Sequence, residues 1–282
     1  MALSAQQFQE SLRDLSNLPT LPGVVRFVVG LVEDENTDAQ SVANVIARDQ
    51  VLSAKVLRVV NSPFYGFPGR ISSVSHAVVL LGFNVVKGLV ISAAVFDNLG
   101  RDVRGLWEHS LGTALLSARI ARRMRLPEPD EIMVAGLLHD LSKVIMAHLA
   151  LADYQAAIKI SRMKRFHIAE SEKAVFGYDH CAVAGWLAER WHLPARLADA
   201  LMYHHKPEAA VNSPECAMIV HVADIFARAM GYGDAGDPVM PPMSENALPM
   251  LGLRDDAFDE ILKDAEDDFR KGMQIFGGGP GA

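Results

Sequence analysis

Five histidines and two aspartates are the residues of this chain best suited to chemistry: His109, His139, Asp140, His180, His204, His205 and Asp224. Imidazole suits zinc, iron, manganese and nickel, and carboxylate suits magnesium and manganese. The set is therefore the inventory for one or two divalent ions, of identity left open. In "GLLHDLSK" (136–143) His139 and Asp140 are adjacent. An Asp beside a His can give one oxygen to each of two metals, and a water shared by such a pair loses its proton near neutral pH. Each residue also has a plain structural use. A buried histidine is commonly a hydrogen-bonded core residue, and His204-His205 ahead of Pro207 suits a helix end, where the dipole favours a cation. The ordered set, more than any single member, points to a metal. Lys143 lies four residues after His139 and three after Asp140, on one helical face. It could contact a phosphate or other anion beside the metals, or pair with Asp140 and keep it ionised. His76, His148, His167, His192 and His221 are read as ordinary hydrogen-bonded residues.

These residues need elements to hold them, and the pattern is helical almost throughout. Apolar residues recur at 42, 45, 46, 52, 56, 57, 59 and 60, which predicts two short helices broken near Arg48–Gln50, with Thr37 or Asp38 as N-cap. "NSPFYGFPGR" (61–70) reads as an ordered loop, and "SSVSHAVVLLGFNVVKGLVISAAVF" as two buried helices around Gly82. A helix is expected from Leu106 to before Pro127. The next is a single one over 130–149 with Asp130 as N-cap. Further helices follow at 151–165, at 169–176 closed by Gly177, from Asp179 to before Pro194, at 194–205, and from 213 to Gly231. Period-two alternation is scarce and there is no Asn-Gly hairpin signal, so the fold class is all-α. Metal sites in helical bundles are built this way, from inward side chains of facing helices.

The chain has 282 residues, half of them hydrophobic. That allows one large or two modest domains. The polar segment 98–105 is the best internal boundary, giving residues 1–100, 101–232 and 233–282. Residues 233–249 read as a loop or linker, 254–276 as an acidic amphipathic helix expected to be solvated, and "GGGPGA" as a loose end. Docking of that helix on the body, or on a basic partner, is the alternative. The net charge of −7 sits in the tail, and the body is nearly neutral. No basic domain of the kind that binds nucleic acid is present. The run Arg119–Arg125 is read as a solvated helix face. A helix–Gly–helix that could dock on DNA, "SHAVVLLGFNVVKGLVIS", has Lys87 as its sole basic residue, too little for readout. No uncharged apolar run reaches membrane-spanning length, and the first residues do not read as a signal peptide. Cys181 and Cys216 are the two cysteines, which excludes a disulfide framework and fits a reducing cytoplasm.

Taken together, the residues resemble the HD superfamily of metal-dependent phosphohydrolases: a first His (His109), a His-Asp doublet (His139-Asp140) and a late Asp (Asp224). The N-terminal half narrows this. "LPTLPGVV", "VIARDQVLSAKVLRVVNSPFYG" and "ISSVSHAVVLLGFNVVKGLVIS", then "DHCAVAGWLAERWHLPARLADALMYHHKPE" and "IVHVADIFA", are similar to the HDOD domain over about residues 10–232. The resemblance implies a two-lobed helical bundle, with an N-terminal helical subdomain ahead of an HD-like core. It also implies an output or adaptor role in bacterial signal transduction through protein partners, a homodimer among them, with no membrane or nucleic-acid role. His180 and His204-His205 match the further ligands of two-metal HD-GYP phosphodiesterases. Three departures from the HD-GYP form weigh against a cyclic-di-GMP phosphodiesterase, not against metal binding, and the first two put catalysis in doubt. No Gly-Tyr-Pro loop follows His205, Ser142 stands where the HDxGK form has Gly, and the extra Glu ligand of three-metal members falls on Gly105. The alternative expectation is an active phosphohydrolase on a nucleotide or phosphate ester.

Overall fold

The computed structural model describes residues 3–13, 43, 46–47, 53–54, 56–57, 60–61, 71–253 and 255–276. The expected N-cap at 37 or 38, the break near 48–50 and the "GGGPGA" end lie outside the described residues. Among those described, all regular structure is helical, as the periodicity predicts. The helices are α1 (Ala5–Arg13), α2 (Val74–Leu81), α3 (Phe83–Leu99), α4 (Leu106–Arg123), α5 (Pro129–Leu138), α6 (Leu141–Leu149), α7 (Leu151–Lys164), α8 (Ile168–Phe176), α9 (His180–Arg190), α10 (Ala195–Tyr203), α11 (Pro214–Ala229), α12 (Ala247–Leu251) and α13 (Asp255–Phe276).

The helix ends follow local chemistry. Ser73 accepts the His76 N–H at the start of α2, and Gly82, at φ +84, closes α2 and opens α3. Asp179 caps α9 by accepting the Ala182 N–H at 2.9 Å, as expected. Gly177 ends α8 in the left-handed conformation, also as expected. Two expectations are corrected. Glu128, in the left-handed region, stands at the N-cap of α5 with Pro129 behind it, so Asp130 lies inside the first turn. And 130–149 is two helices, interrupted at His139-Asp140, where Asp140 leaves helical geometry with φ −106 and ψ 5.

α4, α5 and α11 form the centre. α4 packs on α5 and α11, and α10 closes against α5 and α11. α3 lies across α5 and α6, and α9 lies on α6 and α10. Gly136 sets the α4–α5 crossing. A Cβ there would stand 2.7 Å from Ser117 Oγ and 2.9 Å from the Thr113 carbonyl, so only glycine lets the backbones approach. Buried residues from α1, α2, α3, α4, α5, α6, α9, α10 and α11 share one apolar core. α1 is pinned onto α9 by Phe8, whose ring lies 5.5 Å from Tyr178 and 6.3 Å from Trp186. The stretch Pro129–Leu149 is long and apolar enough to cross a membrane by composition, but most of it is buried inside the fold. α2 is less buried than expected, since Val79 and Leu80 are exposed.

The tail differs from expectation. α13 lies along α4 instead of in solvent. Arg119, from the supposed solvated run, donates to Asp268 from Nε at 2.8 Å and from Nη2 at 2.5 Å, and to Asp264 at 3.2 Å. Arg122 donates to Asp130 at 3.0 Å. The apolar face of the amphipathic helix covers α4, and the charge run supplies the clamp.

Candidate metal centre

Seven helix-borne or helix-flanking side chains converge at one point. The break between α5 and α6 matters most, because it swings Asp140 out of the helical repeat to the middle of the cluster. Its two oxygens face different partners. Asp140 Oδ2 lies 3.2 Å from His139 Nε2 and 3.8 Å from His109 Nε2. Asp140 Oδ1 lies 3.5 Å from His180 Nε2 and 3.7 Å from His204 Nε2. On the first side, His109 Nε2 is 3.0 Å from Asp224 Oδ1. On the second, His180 Nε2 and His205 Nε2 are 3.1 Å apart. His109, His139 and Asp224 can each offer a ligand atom within 4.8 Å of one another, and so can His180, His204 and His205. His109, His139, Asp140, His180, His204 and Asp224 are fully buried. The structure therefore brings together every residue that the sequence singles out for a metal.

Outer partners aim the rings. His139 Nδ1 bonds to the Gly136 carbonyl (2.7 Å), His204 Nδ1 to the Leu201 carbonyl (3.0 Å), and His180 Nδ1 to Glu172 Oε2 (2.6 Å). Each leaves Nε2 directed at Asp140, the arrangement by which proteins orient metal-binding imidazoles. Glu172 also accepts the His180 backbone N–H (2.9 Å), and Ser142 Oγ donates to the His180 carbonyl (2.8 Å). Ser142 thus fastens the start of α9 beside Asp140.

The cations sit behind the carboxylates. Lys143 Nζ donates to Asp140 Oδ2 (2.7 Å) and to the Ala235 carbonyl (2.9 Å), and the lysine is fully buried. Of its two sequence readings, the structure realises the pairing with Asp140. Arg228, four residues after Asp224, donates from Nε to Asp224 Oδ1 (2.8 Å) and from Nη1 to Asp237 Oδ1 (3.1 Å). Burial would raise Asp140, but His139 and Lys143 outweigh it and hold the carboxyl well below the usual range. Burial would likewise raise Asp224, and Arg228 and His109 bring it well below. Burial lowers His109, and it lowers His204 and His205 strongly, helped by neighbouring imidazoles. These rings are neutral at pH 7 and so offer lone pairs. His180 differs: burial lowers it, yet the Glu172 carboxylate overrides this and raises it well above normal.

These residues fit a metal. Among buried side-chain atoms without a hydrogen-bond partner are both ring nitrogens of His109, His139 Nε2, Asp140 Oδ1, His205 Nδ1 and Asp224 Oδ2. Unsatisfied buried polar atoms cost about 1–3 kcal/mol each, and here several cluster around Asp140. A divalent ion beside Asp140 would take up His139 Nε2, one ring nitrogen of His109 and the unpartnered carboxylate oxygens together.

The segment after α11 forms a strap over the centre. Asp234 N–H donates to the Gly105 carbonyl (3.0 Å), and the Ile168 N–H donates to Asp237 Oδ2 (3.1 Å). Gly105 has φ +82, and a Cβ there would lie 2.8 Å from Asp234 N. Position 105 is thus closed to any side chain while Asp234 lies against it. A cleft of about 410 Å³ reaches Lys143 on one side of the strap, and one of about 630 Å³ reaches His109 on the other. Sequence reading missed Glu172, Asp237, Arg228 and the strap. It also missed His167, whose ring lies 4.4 Å from that of His205. Arg228 alone had a readable signal, its i,i+4 spacing from Asp224. His221 is a hydrogen-bonded residue as expected, with Nδ1 on the His204 carbonyl (2.7 Å). Lys87 turns inward, donating to the Trp191 carbonyl (2.7 Å), and offers nothing to DNA.

The HDOD domain family matches residues 18–207. A Treponema pallidum protein of uncharacterised function is 23% identical over 201 residues, and the match spans 68% of this chain and 38% of that protein. The chain thus spans well under half the length of that curated relative. Among solved structures, an HDOD domain protein of unknown function from Geobacter sulfurreducens superposes with a TM-score of 0.67 at 26% identity, over 97% of this chain and 99% of that one. A Shewanella amazonensis protein provisionally described as a phosphohydrolase has the same fold, with a TM-score of 0.64 at 22% identity, covering 94% of this chain and 96% of its own.

Proposed function

Because the chain belongs to the HDOD family, we propose that it is a regulatory signalling protein that acts through protein partners and whose residues on either side of Asp140 would hold two divalent metal ions. One observation carries the metal reading: the two oxygens of Asp140 face different imidazoles, Oδ2 toward His139 and Oδ1 toward His180 and His204, with unpartnered buried atoms among them, and His139, Asp140 and His204 also lie within ligand reach of one another. His109, His139 and Asp224 would complete one ion's shell, and His180, His204 and His205 the other's. Ions of this kind, when bound, act as Lewis acids and make hydroxide available near neutral pH. The chain's own residues keep the site ready. Lys143 and Arg228 hold the carboxylates ionised, Glu172 orients His180, and the strap keeps bulk water off. The regulatory reading is supported by that enclosure, with Lys143 Nζ already engaged by Asp140 and the Ala235 carbonyl. Partners would be signalling proteins or a second copy, in a bacterial cytoplasm, with no nucleic acid or membrane involved.

A second reading, a phosphohydrolase on a nucleotide or phosphate ester, is favoured by the arginine-lined cleft that reaches His109. Elemental analysis of the purified chain, run beside a phosphodiesterase and nucleotidase panel, tests both. The expected result is about two ions per chain, as a bridged pair requires, lost in Asp140→Ala, and no turnover. Turnover abolished by Asp140→Ala would replace the regulatory reading with the second. Absence of metal would overturn the centre itself.

A further inference from the structure

Cys181 stands beside the second pocket and has no place in the ligand set that the sequence singles out. It is the second residue of α9, next to His180, and is half-buried. Two adjacent pairs face each other there, His180-Cys181 at the start of α9 and His204-His205 just after α10. His180, Cys181, His204 and His205 each offer a ligand atom, and the four atoms lie within 4.8 Å of one another. His180 Nε2 and His205 Nε2 are 3.1 Å apart, close to the spacing of two nitrogens on one ion with bonds of about 2.0–2.1 Å. Cys181 Sγ lies 4.0 Å from His204 Nε2, a gap that a metal–sulfur bond of about 2.3 Å and a metal–nitrogen bond of about 2.0–2.1 Å can span through one ion. The same sulfur is 4.0 Å from His204 Nδ1, too evenly placed for a directed S–H hydrogen bond, and Nδ1 is already taken by the Leu201 carbonyl. Asp140 Oδ1, fully buried and without a hydrogen-bond partner, faces the same space, 3.5 Å from His180 Nε2 and 3.7 Å from His204 Nε2. The backbone that carries Cys181 is fixed in advance, because Glu172 accepts the His180 N–H and Ser142 donates to the His180 carbonyl.

We propose that Cys181 is a thiolate ligand of the ion in the second pocket, so that His180, Cys181, His204 and His205 form a site of three nitrogens and one sulfur for a thiophilic ion such as zinc. The inference rests on the metal reading of this pocket and deepens it. On binding, the ion takes the place of the S–H proton, which passes to solvent, and no electron is transferred. A soft thiolate favours zinc over magnesium and manganese, which suit carboxylate and water. Four protein ligands fill a tetrahedral shell, and Asp140 Oδ1 stands ready as a further one. A shell filled by protein is the mark of a structural ion, whereas a catalytic zinc keeps one position open for water. The second ion would therefore tie the start of α9 to the end of α10 instead of activating a water.

The test is titration of the chelated, reduced full chain with cobalt(II), a spectroscopic stand-in for zinc. The expected result is a sulfur-to-cobalt charge-transfer band in the near ultraviolet that saturates with uptake. Cys181→Ser should lose that band and keep the visible ligand-field bands, because three histidines remain to hold the ion. Cys216→Ala should keep it, since that thiol is buried in the apolar core. As Cys216 is the other cysteine of the chain, the wild-type and Cys216→Ala spectra assign the sulfur even where Cys181→Ser fails to fold. Competition with a chelator should show zinc held about tenfold or more weakly in Cys181→Ser, since changes behind the ligands alone reach that size. Cobalt uptake by the wild type without the charge-transfer band overturns the proposal and leaves the metal centre standing. So does a band that survives Cys181→Ser or vanishes in a folded Cys216→Ala. No cobalt uptake at all overturns both.

Discussion

The two sides of Asp140 are built from similar ligands but supported by opposite charges. On the Oδ2 side, His109, His139 and Asp224 are backed by cations, Lys143 at 2.7 Å from Asp140 and Arg228 at 2.8 Å from Asp224. On the Oδ1 side, three imidazoles, His180, His204 and His205, are backed by an anion, Glu172 at 2.6 Å from His180. Cys181 Sγ also lies 4.0 Å from the His204 ring nitrogens on that side. The first pocket is rich in carboxylate and its excess negative charge is balanced from outside. The second is rich in imidazole and gains basicity from a carboxylate behind it. By ligand type, the first suits harder ions and the second suits zinc or iron. Two ions held there, as proposed, would thus not have to be the same metal, and each would be removable without the other.

The largest effect expected breaks the comparison at its shared member. Asp140→Asn takes the bridging charge from both pockets and leaves Lys143 buried beside a neutral amide. Removing one partner of a buried pair costs about 3–5 kcal/mol. Urea unfolding of the chelated protein should show a loss of that size, and metal content should fall to background. If the chelated variant is as stable as the wild type, Lys143 and Asp140 are not the pair that the 2.7 Å contact makes them.

Next come two substitutions that should separate the pockets. Asp224→Asn removes a ligand from the first side alone. Glu172→Gln removes the orienting carboxylate of His180 from the second, where outer-shell changes weaken metal affinity by about 10–100-fold. Competition with a chelator, read by elemental analysis, should leave one tightly held ion in each variant, and a different one wherever the two metals differ. Loss of both ions in either variant would mean that the pockets act as one unit, and the division by charge would fail.

Legibility followed the same lines. The ligand residues were readable because imidazole and carboxylate on separate helices have few other uses as a set. The fold class was readable because a 3.6-residue period dominates from α2 to α11. The helix break was not. "DEIMVAGLLHDLSKVIMAHL" keeps helical propensity through His139-Asp140, and the interruption goes with tertiary bonds made just after it, Ser142 to the His180 carbonyl and Lys143 to the Ala235 carbonyl. Glu172 was hidden because it lies in a charged helix where a glutamate ordinarily faces water, and burial comes only when α8 folds back against α9. The strap passed for a linker because Gly, Asp and Pro mark a loop without saying what lies beneath it. The tail passed for a solvated helix because its acidic face is conspicuous, while the partner of that face, Arg119, is 145 and 149 residues away from Asp264 and Asp268.

That docked tail supplies the smallest expected effect, and it bears on one pocket only. α13 packs on α4, the helix that carries His109, through the Arg119 clamp and through Phe269, whose ring stacks on Tyr232 at 3.9 Å. Tyr232 in turn presses on Gly112, where a Cβ would come within 2.5 Å of the ring. α9, which carries His180 of the second pocket, is braced by α1 instead, through Phe8 on Tyr178 and Trp186. Arg119→Gln should therefore cost about 1 kcal/mol of stability, the upper end for a partly exposed ion pair. It should also loosen the ion held by His109 by a few-fold at most, with the ion held by His180 unchanged. Equal weakening at both pockets in the same chelator competition would show that the tail steadies the core as a whole, and that the asymmetry of support stops at the charged groups around Asp140.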